Sequence, residues 1–211
     1  MTIKVIVLDL GGVIVELDFS KFFKEVIEIS PLNKPNSYLL LEFWRQSDVY
    51  HQGKISNEEF YNLACEILNV CIQGQEEFFK SFNSVIDHLN EDIVSLVKTL
   101  RDMERYKLIA LSNINESHWN YIENQKNWRF INYFDEIILS HEVQMTKPDP
   151  KIFEYTIEKA GCKPEEILYI DDGLNNVLAA KKLSINAIKF SGYDTLVEEL
   201  KKFNILKQDF K

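Results

Sequence analysis

Five short apolar runs set the tightest limit on how this chain can fold. They are Val5–Leu8, Leu108–Leu111, Ile137–Leu139, Ile167–Ile170 and Ala187–Phe190. A strand that is apolar at successive positions, rather than at every second one, has both of its faces covered. The first run is closed by Asp9 and, one residue on, by Gly11 and Gly12, as a buried strand is when it ends in a tight turn. Between the later runs lie helical patterns. Asn90 can cap a helix in which Ile93, Val94, Leu96, Val97 and Leu100 recur at helical spacing. Asp149 is a cap followed by Pro150 at the first helical position; Phe153, Ile157 and Ala160 share a face, and Gly161 stops the helix. Leu196–Lys202 has the amphipathic pattern of a packed surface helix. Strand and helix in alternation predict an α/β fold with a doubly wound parallel sheet.

From about residue 18 to residue 89 that alternation stops, and the pattern reads as helices only. Ser20 precedes Phe22, Phe23, Val26 and Ile27, and Ser37 precedes Tyr38–Trp44. Ser56 and Glu59 form a capping box ahead of Phe60, Leu63, Ala64 and Ile67. Phe78, Phe79 and Phe82 mark one more apolar face. We expect residues 16–89 to be an all-helical unit inserted after the first strand, with its aromatics as its own core. Residues 1–15 and 90–211 then make up the sheet domain.

The formal net charge of −9 argues against nucleic acid or an anionic membrane as the main partner, since both call for basic patches. A small anionic substrate remains open, because its pocket can be locally positive. No apolar run approaches the length of a membrane span. The N-terminus carries no signal-peptide pattern. Three cysteines, Cys65, Cys71 and Cys162, form no CxxC pair and read as buried thiols in a reducing compartment. Together these features predict a cytoplasmic protein.

In an open parallel sheet, ligands bind beyond the carboxyl ends of the strands. The first run is followed by Asp9-Leu10-Gly11-Gly12-Val13, and the second by Ser112-Asn113. The third is followed, past Ser140, by Lys147-Pro148-Asp149-Pro150, and the fourth by Asp171-Asp172-Gly173. Singly, an Asp or Ser after a strand is ordinarily a helix cap. Together they bring a carboxylate, a hydroxyl, a cation and a carboxylate pair to one sheet edge. Two adjacent carboxylates with a third across the cleft suit Mg²⁺, which takes a few carboxylates plus waters and substrate phosphate. A lysine, a hydroxyl and backbone N–H groups offset phosphoryl charge, and Gly11 and Gly12 let the chain approach the phosphate closely. A carboxylate can itself attack phosphorus, splitting one hard hydrolysis into two steps.

The order Asp-x-Gly-Gly-Val, Leu-Ser-Asn, Lys-Pro-Asp-Pro and Tyr-Ile-Asp-Asp-x-x-x-Asn-Val resembles the four motifs of the haloacid dehalogenase-like hydrolase superfamily. They run from residue 5 to about residue 180. The segments Asp9–Phe19 and Gln52–Ser56 resemble the subgroup that contains bacterial glucose-1-phosphatase. The resemblance implies a Rossmann-like core, a helical cap and a Mg²⁺-dependent phosphatase acting on a small phosphorylated metabolite through an aspartyl phosphate. It implies Asp9 as nucleophile and Mg²⁺ ligand, with the carbonyl of Gly11 as a second ligand. Gly12, Ser112 and Asn113 would bind the phosphoryl group, and Lys147 would steady the charge on nucleophile and phosphate. Asp172 would ligate the metal, Asp171 would stand in or near its second shell, and Asn176 would orient the loop.

Two departures stand out. Most of that family carries an aspartate two residues after the nucleophile as general acid and base, where this chain has Gly11. Gln144 stands where a glycine is common before the Lys-Pro motif. Two rival readings follow. One is 2-haloacid dehalogenation, against which the aspartate pair speaks. The other is a catalytically weak phosphate-binding protein, against which Asp9 and Lys147 speak. His51, with Trp44, Arg45 and Tyr50 around it, is the cap position from which a substrate could be reached, and Asp18 is a helix cap or a substitute acid. His51, His88, His118 and His141 have no metal-ligand spacing.

Overall fold

The structure is a computed structural model that describes residues 2–69 and 74–210. Its strands are β1 (Val5–Leu8), β2 (Val15–Leu17), β3 (Ile86–Leu89), β4 (Lys107–Ser112), β5 (Glu136–Leu139), β6 (Ile167–Asp171) and β7 (Asn186–Lys189). The five apolar runs become one parallel sheet in the order β5-β4-β1-β6-β7. Its register sets Leu8 beside Ala110 on one side and Ile170 on the other. The chain builds outward from β1 through β4 and β5, then crosses back to lay β6 and β7 on the opposite side. The direction therefore switches at β1, and Asp9 follows it.

Alternate residues of each strand serve opposite layers, as the two-residue period of a strand requires. Ile6, Leu8, Leu108, Ala110, Leu168 and Ile170 pack with Ile93, Leu96, Val97 and Leu100 of the Glu91–Asp102 helix. Leu196, Val197 and Leu200 of the Tyr193–Lys202 helix close the same side. Val5, Val7, Ile109, Leu111, Ile167 and Tyr169 pack on the other side, against Ile152 and Phe153 of the Pro150–Ala160 helix. Val177 and Ala180 of the Leu174–Lys182 helix complete that layer. Each Leu or Ile so buried is worth about 1.5–3 kcal/mol against exposure, which is why the central strands are apolar along most of their length. The expected caps form: Asn90 accepts from Ile93 N at 3.3 Å, and Asp149 accepts from Lys151 N at 3.0 Å.

The helices Asn36–His51, Asn57–Leu68 and Gln75–Asn83 enclose a separate apolar cluster centred on Phe22, Phe43, Phe60, Phe78 and Phe82. Phe22 and Phe82 lie 5.6 Å apart, edge to face. The Ser56–Glu59 capping box closes, with Ser56 N donating to Glu59 at 2.7 Å and Glu59 N to Ser56 at 3.2 Å. The first helical stretch begins as an α-turn, Ser20–Phe22, and runs on as a π-helix, Phe23–Ile27. Ser37 falls inside the second helix, which begins at Asn36 after Pro35. We propose that residues 16–89 form one inserted unit, a division supported by this separate cluster.

The insert is not all helical, which corrects the sequence reading. β2 and β3 pair antiparallel, Val15 with Leu89 and Leu17 with Ile86. β3 is buried at Ile86 and Leu89 and exposed at Asp87 and His88, so it lacks the two-residue period that marks a strand. Its partner lies far off in sequence, and only the pairing makes it a strand. The chain thus enters and leaves the insert side by side. Cys65 and Cys162 are half-buried rather than buried, and Cys71 lies outside the described residues. Among the described residues no helix is long and apolar enough to cross a membrane.

One asparagine ties the insert to the sheet. Asn115, fully buried, caps the Glu116–Glu123 helix by accepting from His118 N at 2.9 Å. Its amide nitrogen then faces Nδ1 of His118 at 3.1 Å and Nε2 of His51 at 3.4 Å. Both of those ring nitrogens must therefore accept, and the opposite nitrogens carry the protons. Nδ1 of His51 donates to Ser47 O at 3.0 Å, and Nε2 of His118 donates to Phe82 O at 3.2 Å. Ser140 Oγ adds a bond to His51 O at 2.7 Å. At Gly53, with φ +63°, an added Cβ would stand 1.9 Å from His141 O.

Burial, and next the His51 ring, push His118 down to about 3. In an unfolded chain histidine titrates near 6.5. Between those values the unfolded state binds the extra proton, so stability is complete above pH 6.5 and is lost as pH falls. Each pH unit of that window costs up to about 1.4 kcal/mol from this residue. Urea unfolding at pH 7.5, 6 and 5 should show wild type losing stability faster than His118→Gln; parallel losses would contradict the assignment.

Candidate functional site

The carboxyl ends of β1, β4 and β6 bring together the residues singled out from the sequence. Asp9 leaves β1 with its backbone N–H on Ile170 O at 2.9 Å, and its Oδ1 accepts from Leu10 N at 2.7 Å. Ser112 ends β4 and is buried. Gly12 has φ +74°, and a Cβ there would stand 2.5 Å from Asp172 Oδ2. The turn after β1 therefore presses on Asp172, and only glycine permits it.

Lys147 is the centre of the arrangement. Its Nζ donates to Asp9 Oδ1 at 2.9 Å, Asp171 Oδ2 at 2.8 Å and Leu111 O at 3.0 Å, which uses all three of its hydrogens. Asn113 fixes the lysine's backbone from both sides, accepting from Lys147 N and donating to Lys147 O, each at 2.8 Å. Asp171 is fully buried. Its Oδ1 accepts from Gly173 N at 2.7 Å and Asn176 Nδ2 at 3.0 Å, and Tyr169 OH also donates to Oδ2.

One ammonium cannot fully compensate two buried carboxylates, and the protonation equilibria divide accordingly. Burial works upward on Asp171, but Lys147, Tyr169 and Asn176 outweigh it and hold this carboxyl below its ordinary range. Burial pushes Asp9 up to about 7; Lys147 opposes the rise and Asp171 adds to it. Burial works downward on Lys147, yet Asp9 and Asp171 keep it above the usual lysine value. Burial, then Asp171, raises the exposed Asp172. Burial and the two carboxylates Asp9 and Asp171 keep Tyr169 protonated, so its hydroxyl is a dependable donor.

Asp9, Asp171 and Asp172 each offer a carboxylate oxygen within 4.8 Å of the others. Oxygens sharing one Mg²⁺ at about 2.1 Å lie at most about 4.2 Å apart, so this hard, all-oxygen donor set fits that ion with little adjustment. Asp171 already accepts at both oxygens, whereas Asp172 is exposed to solvent. Above the edge, a cavity of about 100 Å³ opens between sheet and insert, touching Gly11, Ser112 and Asn113.

Among the cap candidates, His51 and Trp44 line this cavity. Tyr50 does not: it is buried, donating to Asn57 Oδ1 at 2.6 Å and accepting from Ser117 N at 3.3 Å. Arg45 points away and pairs with Glu42 at 3.1 Å. Asp18 accepts from Ser20 N at 2.8 Å, as a helix entry does, and is not part of the cavity wall. Gln144 has φ +56°, which accounts for a glycine being common there. The sequence reading missed Tyr169 and Asn115. Tyr169 stands two residues before Asp171 on the same face of β6, and that spacing was the available signal.

The family model of the haloacid dehalogenase-like hydrolases matches residues 3–183. The chain belongs to that family. It is 27% identical over 197 residues to a D-ribitol-5-phosphate phosphatase of Bacteroides thetaiotaomicron, a match covering 89% of this chain and 91% of that one. A family enzyme from the same organism, crystallised with magnesium and inorganic phosphate, superposes with a TM-score of 0.75 at 27% identity, covering 92% of this chain and 98% of that one. A structure of a HAD-like hydrolase from Porphyromonas gingivalis shares the fold with a TM-score of 0.75 at 24% identity, covering 96% and 99%.

Removing Lys147 should expose the cost of the buried carboxylates. Lys147→Ala is expected to lose about 3–5 kcal/mol at pH 8, the range for breaking a buried pair. Asp9, already raised above its unfolded value, then gains a proton on acidification, and folding takes up that proton. The variant should therefore recover part of the loss between pH 8 and pH 6. Denaturant titration at the two pH values measures this; equal losses at both would contradict it.

Proposed function

We propose that this hydrolase is a phosphatase that cleaves a small phosphate monoester through a covalent phosphate on Asp9. The observation that carries the reading is the Lys147 ammonium lying between Asp9 and Asp171, with Asp172 alongside. Asp9, Asp172 and the carbonyl of Gly11 would hold Mg²⁺, which the ion in the B. thetaiotaomicron structure supports. When bound, that ion supplies positive charge to the phosphoryl oxygens. Asp171, with its oxygens taken by donors, holds Lys147 in place. Ser112, the backbone at Gly12 and Asn113 would seat the phosphoryl group. An Asp9 oxygen then attacks phosphorus as the ester P–O bond breaks and the departing oxygen takes a proton. Water next cleaves the acyl phosphate, releasing inorganic phosphate and restoring Asp9. The relative named for D-ribitol 5-phosphate supports a sugar-phosphate-like substrate.

Quenching turnover with borohydride should convert Asp9 to homoserine, since borohydride reduces an acyl phosphate but not a free carboxylate, and peptide mass spectrometry detects the change. Excess chelator should abolish turnover and added Mg²⁺ restore it, while Asp9→Asn should keep its fold and lose essentially all activity. Turnover that leaves no homoserine at position 9 would make Asp9 a ligand only. Turnover in excess chelator would remove the metal from the mechanism.

Leu17 covers Gly11, where an added Cβ would stand 3.2 Å from Leu17 Cδ1, so no carboxylate faces the leaving oxygen from that position. A positioned general acid is worth about 10²–10⁴ in rate for a poor leaving group. Aryl, acyl and anomeric phosphates should therefore be cleaved faster than primary alkyl phosphates, and a sugar 1-phosphate faster than its 6-phosphate. A graded ester series measures this, with burst kinetics used to establish that chemistry limits the rate. A flat profile would mean that another group donates the proton.

A further inference from the structure

The cavity beside Gly11 and Ser112 has an unusual wall for a site expected to receive a sugar. Leu17, Phe19, Trp44, Val85, Ile86 and Ile114 make up much of it. The polar side chains that line it are largely committed elsewhere. Asn113 spends its amide oxygen and nitrogen on the backbone of Lys147. His118 is bonded at both ring nitrogens, to Asn115 at 3.1 Å and to Phe82 O at 3.2 Å. His51 is bonded to Ser47 O at 3.0 Å and, more loosely, to Asn115 at 3.4 Å. Among the described residues the Ser112 hydroxyl and the Trp44 indole are left, and Ser112 stands at the phosphate end. The room is also short. About 100 Å³ is less than the ~150 Å³ apolar cavity that takes a benzene ring.

A hydroxyl moved from water into such a pocket gives up its hydrogen bonds without replacement. That loss amounts to about tenfold or more in affinity for each unmatched group. We infer that this pocket selects phosphate esters whose organic part is compact and sparsely hydroxylated, of three to five carbons, over polyol phosphates of the same length. The inference rests on the phosphatase reading and departs from its sugar-phosphate-like substrate, which is supported by a relative's name rather than by this pocket. Leu17 is the specificity-determining residue: it comes from β2, covers Gly11 and gives the wall its apolar character directly above the phosphoryl site.

The test compares two primary alkyl esters of equal carbon count, 3-methylbutyl phosphate and ribitol 5-phosphate, by calorimetry on the Asp9→Asn protein in saturating Mg²⁺. Leaving-group acidity plays no part in binding. The branched alkyl ester should bind at least tenfold more tightly than ribitol 5-phosphate and more tightly than inorganic phosphate. Leu17→Asn, at a partly exposed position, should narrow the ratio at least threefold without loss of thermal stability. Equal affinities, a preference for the ribitol ester, or a ratio that Leu17→Asn leaves unchanged would each overturn the assignment. The phosphatase reading is judged separately, on wild-type turnover and borohydride trapping at Asp9. A polyol preference with Asp9 trapped sinks the pocket assignment alone. The expected binding order without trapping during turnover sinks the covalent mechanism alone.

Discussion

A single ammonium group shared by two buried carboxylates governs the geometry of the sheet edge. Lys147 reaches Asp9 on β1 and Asp171 on β6, and its third hydrogen goes to the last turn of β4 through Leu111 O. Those three strands are neighbours only because the sheet order switches at β1. An unpaired carboxylate in this setting would cost several kcal/mol, so strand order, the loop carrying the lysine and the charge balance depend on one another. Three donors besides Lys147, namely Tyr169, Asn176 and the Gly173 N–H, saturate Asp171 and leave it the anchor of the set. Asp9 bears the imbalance and is the more readily protonated of the pair.

The parallel sheet could be read from the sequence because its three central strands, β1, β4 and β6, are buried on both faces and so carry an unbroken apolar signal. The helix boundaries at Asn90, Ser56 and Asp149 were legible for a different reason: a cap is a local chemical event, completed within three residues. Asp9, Ser112, Lys147, Asp171 and Asp172 could be nominated because each follows a strand, and the fold does bring those strand ends together. What stayed hidden was whatever depends on a distant partner. β3 is a strand only by virtue of β2, and Asn115 gains its meaning from two histidines that lie on either side of it in sequence. His51 was readable as a position from which the cavity is reached, and it lines that cavity, but its tautomer was not readable, since that is set by Asn115 and Ser47.

The same asparagine gives the join between insert and sheet an unusual character. Its amide oxygen is taken by a helix cap, so its two hydrogens are obliged to point at ring nitrogens, and both imidazoles are thereby kept neutral. Around these histidines, and among the described residues, the side of the insert facing the sheet is in this way held by uncharged hydrogen bonds rather than by ion pairs. Screening by salt should matter little there.

The antiparallel ribbon of β2 and β3 has a consequence for how such a chain can change over generations. Because the chain departs and returns at adjacent positions, Leu17 beside Ile86, the sheet sees only a closed loop with fixed ends. The entropic cost of closing a loop grows with the logarithm of its length, roughly 0.6 kcal/mol for each doubling. Material between those two points can therefore be lengthened, shortened or exchanged at small expense to the stability of the five-stranded core. Leu17 and Ile86 belong to that junction and also to the cavity wall. An exchanged segment would thus inherit the floor of the pocket and supply a new roof, altering what is recognised while the chemistry beneath it stays as it was.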